Sequence, residues 1–262
     1  MAAFQIQLEK GKRIYFASDF HLGLASQGMQ HERKRERKVI AWLDSIKRDA
    51  QTVFLMGDIF DFWFEYKHVA PKGFIRFLGA IAALTDSGIS VHIFPGNHDL
   101  WMRDYLPKEL GVRIHYEPLV VLSSGKKFYL AHGDGLGPGD KNYKLLKKVF
   151  LSPLSNWLFR WLHPDIGIGL ARSWSKASRL GKAGEDEEYL GEKEFLTQYC
   201  QDVEAKEHHD YYVFGHRHLS LDIAIGSSAK YYNLGEWLED CSYGVFDGGS
   251  FELKKFEYIA SP

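Results

Sequence analysis

Seven side chains that can hold metal ions recur along the 262-residue chain, each at the end of an apolar run: Asp19, His21, Asp58, Asn97, His132, His216 and His218. They offer oxygen or imidazole donors and no thiolate, and seven is too many for one transition-metal ion. Two ions about 3.5–4 Å apart could each reach four protein ligands if one carboxylate bridges them. Asp58, which leads from the second run into the middle of the series, is the natural bridge. Mixed carboxylate and imidazole ligation suits Mn, Fe, Co or Zn; Mn is our expectation, although donor type alone does not select it. Two cations sharing a water make it acidic enough to attack near neutral pH and hold phosphoryl oxygens in line, so no side-chain nucleophile is required. His98 follows the ligand Asn97 and should overhang the phosphate, stabilising developing charge or protonating the leaving oxygen. Asp99 either orients that ring or caps the following helix. Taken singly, an Asp-x-His or a Gly-Asp is common turn chemistry. His31, His68, His92, His115, His163, His208 and His209 read as core or surface histidines. Five such loops in series, each after an apolar strand, are not turn chemistry alone.

The elements that must place these residues are legible from the apolar runs. Residues 13–18, 51–56, 90–94, 128–131 and 211–214 read as buried strands, and each stops at a metal-type residue. Residues 33–47 and 74–84 read as intervening helices. Strand, ligand loop, helix is the order of an α/β fold whose site gathers beyond the carboxyl ends of its strands. Residues 230–235 and 244–258, with an Asp247-Gly248-Gly249 turn, read as terminal strands completing a second sheet.

Composition bounds the rest. With 45% hydrophobic and 26% charged residues the chain is globular, and the length fits one domain, 1–262. No apolar run approaches the roughly 18 residues of a membrane span. The polar N-terminus lacks the pattern of a secretory signal, so a cytoplasmic protein is expected. Cys200 and Cys241 read as reduced thiols. The net charge of −1 hides an asymmetry: residues 141–182 hold nine basic residues and one acid, so this window carries +8 and the remainder −9. That argues against a general nucleic-acid binder and for one cationic region. The same window is rich in Trp, Phe and Leu. Ser152-Pro153 reads as an N-cap with proline at the first helical position, followed by an amphipathic helix carrying Trp157 and Trp161. This stripe is expected to pack on the protein's own core, with an anionic membrane surface as the alternative. The basic run 31–38 reads as a solvated helix face, with membrane contact the lesser alternative.

The series Asp-x-His, Gly-Asp-x-x-Asp, Gly-Asn-His-Asp, a later His and Gly-His-x-His, spanning Asp19 to His218, resembles the calcineurin-like metallophosphoesterases. The resemblance implies a four-layer sandwich of two β-sheets flanked by helices, and hydrolysis of a phosphate ester or anhydride. It places Asp19, His21, Asp58 and His218 on one ion and Asp58, Asn97, His132 and His216 on the other. Within that family the chain is most similar to the UDP-2,3-diacylglucosamine pyrophosphatases of lipid A synthesis. The likeness rests on Asp19-Phe20-His21-Leu22, Gly57-Asp58-Ile59-Phe60-Asp61-Phe62-Trp63, Ala131-His132-Gly133-Asp134 and Leu234-Gly235-Glu236-Trp237. It implies a helical cap at 140–195, cleavage to UMP and 2,3-diacylglucosamine 1-phosphate, and substrate contacts at Asn97, His98, Asp140, Ser175, Arg179, Lys182 and His216. A UDP-linked acylated glucosamine is then the partner, with peripheral contact to an anionic inner membrane and no nucleic acid. One position departs: His98 stands where these pyrophosphatases typically carry arginine, a fixed two-pronged cation that is not equivalent to imidazole at a phosphate. A nuclease-like phosphodiesterase using the same metals, and a non-catalytic scaffold, are the rival readings. The −9 outside the insert counts against the first, and the intact set of seven ligands against the second.

Overall fold

The computed structural model describes residues 3–24, 28–139, 141–170, 173 and 188–258. Two six-stranded mixed sheets form its centre. One runs β1 (Phe4–Ile6), β6 (Leu119–Ser123), β7 (Lys126–Leu130), β8 (Tyr211–Phe214), β10 (Ala229–Leu234), β9 (Ser220–Ile225). The other runs β12 (Phe251–Lys255), β11 (Ser242–Phe246), β2 (Arg13–Ala17), β3 (Ala50–Leu55), β4 (Ser90–Ile93), β5 (Arg113–Ile114).

Side-chain alternation along each strand builds the layers. Ile14 and Phe16 of β2, with Phe54 and Met56 at β3, point inward to meet Val121, Phe128, Val213 and Tyr232 between the sheets. Tyr15, Ala17, Val53 and Leu55 point outward to a second apolar cluster. There they are covered by Val39, Trp42, Leu43 and Ile46 of α1 (Met29–Ile46) and Phe77, Ile81 and Leu84 of α2 (Ile75–Asp86). Tyr212, Phe214 and Tyr231 face the other way, onto Leu196 and Cys200. Those two belong to the last helix, after the short α3 (Tyr105–Leu110), α4 (Lys141–Leu151) and α5 (Pro153–Arg160); it is numbered α6 and spans Phe195–Glu204. The result is helix, sheet, sheet, helix, the expected four-layer arrangement. Cys200 and Cys241 are free and buried.

Three expectations need correction. The C-terminal strands do not complete one sheet: β10 pairs parallel with β8, whereas β11 and β12 form a hairpin that joins β2 in the other sheet. Arg35, within the supposed solvated run, is buried, because it lies four residues before Val39 and seven before Trp42 on the inward face of α1. Finally, α5 forms as expected, with Ser152 Oγ accepting the Ser155 N–H at 3.1 Å, but most of its stripe does not pack on the core. Phe159 docks against Phe64 and Trp101, while Leu154, Trp157, Leu158 and Trp161 remain exposed, Trp161 by 76%. Periodicity predicts an amphipathic helix; it does not say what covers the apolar side. Among the described residues no helix is long and apolar enough to cross a membrane.

Candidate metal centre

β2, β3 and β4 of one sheet and β7 and β8 of the other deliver their C-terminal loops to a common cleft, and each loop reverses sharply where the strand stops. Eight non-glycine described residues have positive φ, and five are predicted ligands: Asp19 (57°), His21 (45°), Asp58 (50°), His216 (72°) and His218 (55°). Left-handed backbone is costly for such residues, so its concentration here marks a cleft that the surrounding fold holds under strain.

Side chains far apart in sequence converge as a result. His21 Nε2 and His218 Nε2 are 3.1 Å apart, and each approaches Asp19 Oδ1, at 3.8 and 3.2 Å. His21 Nε2 and His132 Nε2 lie 3.9 and 3.6 Å from the same oxygen, Asp58 Oδ2. Asn97 Oδ1 is 3.4 Å from His132 Nε2, and the His132 and His216 rings stand 5.2 Å apart. Two groups with donor atoms mutually within 4.8 Å emerge, Asp19/His21/Asp58/His218 and Asp58/His132/His216, sharing Asp58. A third, His21/Asp61/His98, overlaps the first.

The donor set fits divalent cations on a structural criterion: Asp19, Asp58 and His132 are each held by one atom and present another. Asp19 Oδ2 accepts from Ser18 Oγ and the His216 N–H, whereas its Oδ1 is buried and accepts no hydrogen bond among the described residues. Asp58 Oδ1 accepts the His98 N–H at 2.9 Å, leaving Oδ2 toward the imidazoles. His132 Nδ1–H donates to the Met56 carbonyl at 2.6 Å, so in the neutral ring Nε2 carries the lone pair facing the cleft. Such outer hydrogen bonds orient metal ligands. Burial opposes charge on Asp58, yet the rings of His132, His98 and His21 outweigh it and hold the carboxyl well below its ordinary range. Burial also opposes charge on His132, and Asp58 reverses the balance, pushing the imidazole up. The proton shared by such a pair is the one a divalent cation displaces on binding. Close packing leaves no room for larger residues in the ligand loops: a Cβ on Gly96 would stand 2.2 Å from Asp58 Oδ1, and one on Gly57 2.3 Å from His132 Nδ1.

His98 lies where a group overhanging this centre should be, its ring 5.0 Å from that of His21. Its partner is not Asp99. His98 Nδ1 meets the Asp61 carbonyl oxygen at 3.1 Å and Asp61 Oδ1 at 3.7 Å. Asp99, fully buried, accepts from the Gly96 N–H at 2.7 Å and from those of Ile59 and Phe60 at 2.8 and 3.2 Å. Asp99 therefore clamps the Asp58 loop to the Asn97 loop. It neither orients the ring nor caps a helix, since α3 begins only at Tyr105. Burial, with the Asp58 carboxylate, pushes the Asp99 carboxyl up, against the pull of its backbone donors.

Sequence reasoning assigned no role to three neighbours. Asp61 holds His98. Arg35 donates to the His21 carbonyl at 2.7 Å. Asn233 donates to the Gly215 carbonyl at 2.5 Å, fixing the loop of His216. The second aspartate of Gly57-Asp58-x-x-Asp61 was the available signal for the first, and the apolar register of α1 for the second. Asp140, Ser175, Arg179 and Lys182 lie outside the described residues.

The calcineurin-like phosphoesterase model matches residues 12–220. The chain belongs to this family. Over 260 residues, 94% of this chain and 98% of the relative, it is 40% identical to a UDP-2,3-diacylglucosamine hydrolase from Porphyromonas gingivalis. A UDP-2,3-diacylglucosamine hydrolase from Pseudomonas putida W619 is 28% identical, covering 94% of this chain and 99% of the relative. Among solved structures, vacuolar protein sorting 29 from Cryptosporidium parvum is 14% identical with a TM-score of 0.43, over 95% of this chain and 100% of that one. As a family member the chain is a metal-dependent phosphoesterase with its metal-type residues clustered.

Proposed function

We propose that the chain hydrolyses the anhydride of UDP-2,3-diacylglucosamine at the nucleotide phosphate, giving UMP and 2,3-diacylglucosamine 1-phosphate. The observation that carries the chemistry is the sharing of Asp58 Oδ2 by two ligand groups; near full-length likeness to diacylglucosamine hydrolases supports the substrate. Asp19, His21, Asp58 and His218 would hold one divalent cation and Asp58, Asn97, His132 and His216 the other, with Mn²⁺ the favoured ion. Such a pair supplies positive charge for the phosphoryl oxygens and acidifies a water enough to attack near neutral pH. The chain's own residues do the rest. His98, with Nδ1 held at Asp61, turns Nε2 toward the substrate, where it donates to a phosphoryl oxygen or to the leaving oxygen. The anhydride P–O bond breaks as the bond from water to phosphorus forms, and the leaving phosphate departs with the sugar.

Residues 140–195 act as a cap in this reading. A cavity of about 300 Å³ between the body and the helical residues 164–170 supports an acylated substrate: Leu22, Phe62, Val69, Phe74 and Ile168 line it, with Asp61 on its wall. Exposed Leu154, Trp157, Leu158, Trp161 and Ile166, near Lys148 and Arg160, suit an anionic bilayer from which such a lipid is taken. The protein would then work in the cytoplasm on the inner membrane. Incubating purified protein and Mn²⁺ with UDP-2,3-diacylglucosamine should release UMP. Turnover of simple phosphodiesters without UMP would overturn the substrate and leave the hydrolase. Trp157→Glu with Trp161→Glu should abolish cosedimentation with anionic vesicles; unchanged binding would remove the membrane contact.

A further inference from the structure

Both described ends of the insertion are pinned by buried charges to the two loops that carry His132 and His216. At its start, α4 reaches back to the loop after β7. The Tyr143 hydroxyl and the Lys147 ammonium both donate to Asp134 Oδ2, at 2.5 and 2.7 Å, and Asp134, two residues beyond His132, is buried. Lys144 Nζ donates to the Gly137 carbonyl of the same loop at 2.5 Å. At its end, the fully buried Glu194 accepts from Arg217 Nε at 2.8 Å. Arg217 sits between His216 and His218 and donates also to the Glu188 carbonyl at 3.1 Å. The ring of Phe195, next to Glu194, meets that of His216 edge-on, with centroids 6.2 Å apart.

Ion pairs with a buried member, Asp134 in one and both partners in the other, hold only while their geometry is kept, because a displaced partner leaves that charge desolvated and unpaired. A shift of α4 or of residues 188–194 therefore drags an imidazole loop with it, and the reverse holds equally. Both links end on the ligand loops, whereas the Lys126–Asp210 bridge lies at the opposite end of β7; Glu194 also stands at the N-cap of α6, which packs on β8 and β10.

We propose that Asp134 and Arg217 are positioning residues through which the placement of the insertion and cation occupancy at His132 and His216 control one another. By linkage, whatever seats the insertion tightens cation binding by the factor with which cations order the insertion. This rests on the two-cation reading above, and the test separates the two. Hydrogen exchange of the full chain is followed with and without Mn²⁺, while electron paramagnetic resonance counts bound ions. Mn²⁺ should slow amide exchange in α4 and in 188–194 about tenfold. Lys147→Met and Glu194→Gln, both on the insertion side, should lose that protection while still binding Mn²⁺. If either fails to fold, Tyr143→Phe, which keeps Lys147, should give intermediate protection. Two bound ions with unchanged exchange in the wild-type protein, or full protection in the variants, would overturn the coupling. A wild-type protein that binds no Mn²⁺ would overturn the two-cation reading itself.

Discussion

The Asp58 carboxylate accepts the His98 backbone N–H, yet the two side chains have separable roles, and substitution should part them. In the proposed reading, removing the His98 imidazole deletes the donor to the substrate while leaving the candidate ligand atoms in place. His98→Ala should therefore lower kcat by about 10²–10⁴ with Mn²⁺ binding retained. Asp58→Ala removes the oxygen common to both ligand groups and should lose metal as well as turnover, read by equilibrium dialysis. Normal binding of two ions by that variant would show that the carboxylate is not shared. At this scale the sequence exposed the candidate ligands that the fold brings together, because Asp, Asn and His at strand ends announce themselves by type. It concealed the residues that hold ligand loops through backbone groups. Arg35 grips a carbonyl and Asp99 gathers three N–H groups, and nothing in composition or spacing distinguishes such a clamp from a capping aspartate or a surface arginine.

Among elements, legibility followed burial. β2, β3, β4 and β8 lie inside the sandwich, covered on both faces, so they read as continuous apolar runs. β1, β5 and β9 sit at sheet edges, where two or three residues suffice or the alternation is half polar, and their pairing depends on distant partners. His92 shows how an inward strand position can carry a polar residue at a cost that depends on pH. It is fully buried on β4 against Phe4 and Phe54, with Nδ1 2.8 Å from His115 Nε2. Burial, then the neighbouring His115 and Arg113, push it down to about 3. The folded form thus stays neutral while the unfolded chain takes up a proton below about 6.5. Stability must fall as pH drops through the window from about 6.5 to about 3. Between pH 6.5 and 4.5 the metal-free wild type should lose about 2 kcal/mol more than His92→Phe, measured by urea unfolding at the two pH values. Equal losses would show that His92 is not the group responsible.

At the scale of the whole molecule, the candidate ligands fall into two sets that folding alone brings together: Asp19, His21, Asp58 and Asn97 follow strands of one sheet, His132, His216 and His218 follow strands of the other. The sandwich interior is apolar and non-directional, so it resists separation of the sheets without fixing how their ends face each other. That alignment falls to the polar rim, where the strained loops, Asp99 and the ion pairs act together. Cations bound there would tie the two sheets together at that rim, and would bind only the folded chain. Mass action then predicts a stabilisation of about 2.7 kcal/mol at a free ion concentration 100 times Kd. For a protein of this size it corresponds to a rise in Tm of about 5–10 °C. Thermal unfolding with Mn²⁺ and after chelation should show that difference in the wild type and in His98→Ala, and lose it in Asp58→Ala. A Tm indifferent to Mn²⁺ in the wild type would mean that the two halves of the site do not close on a common load.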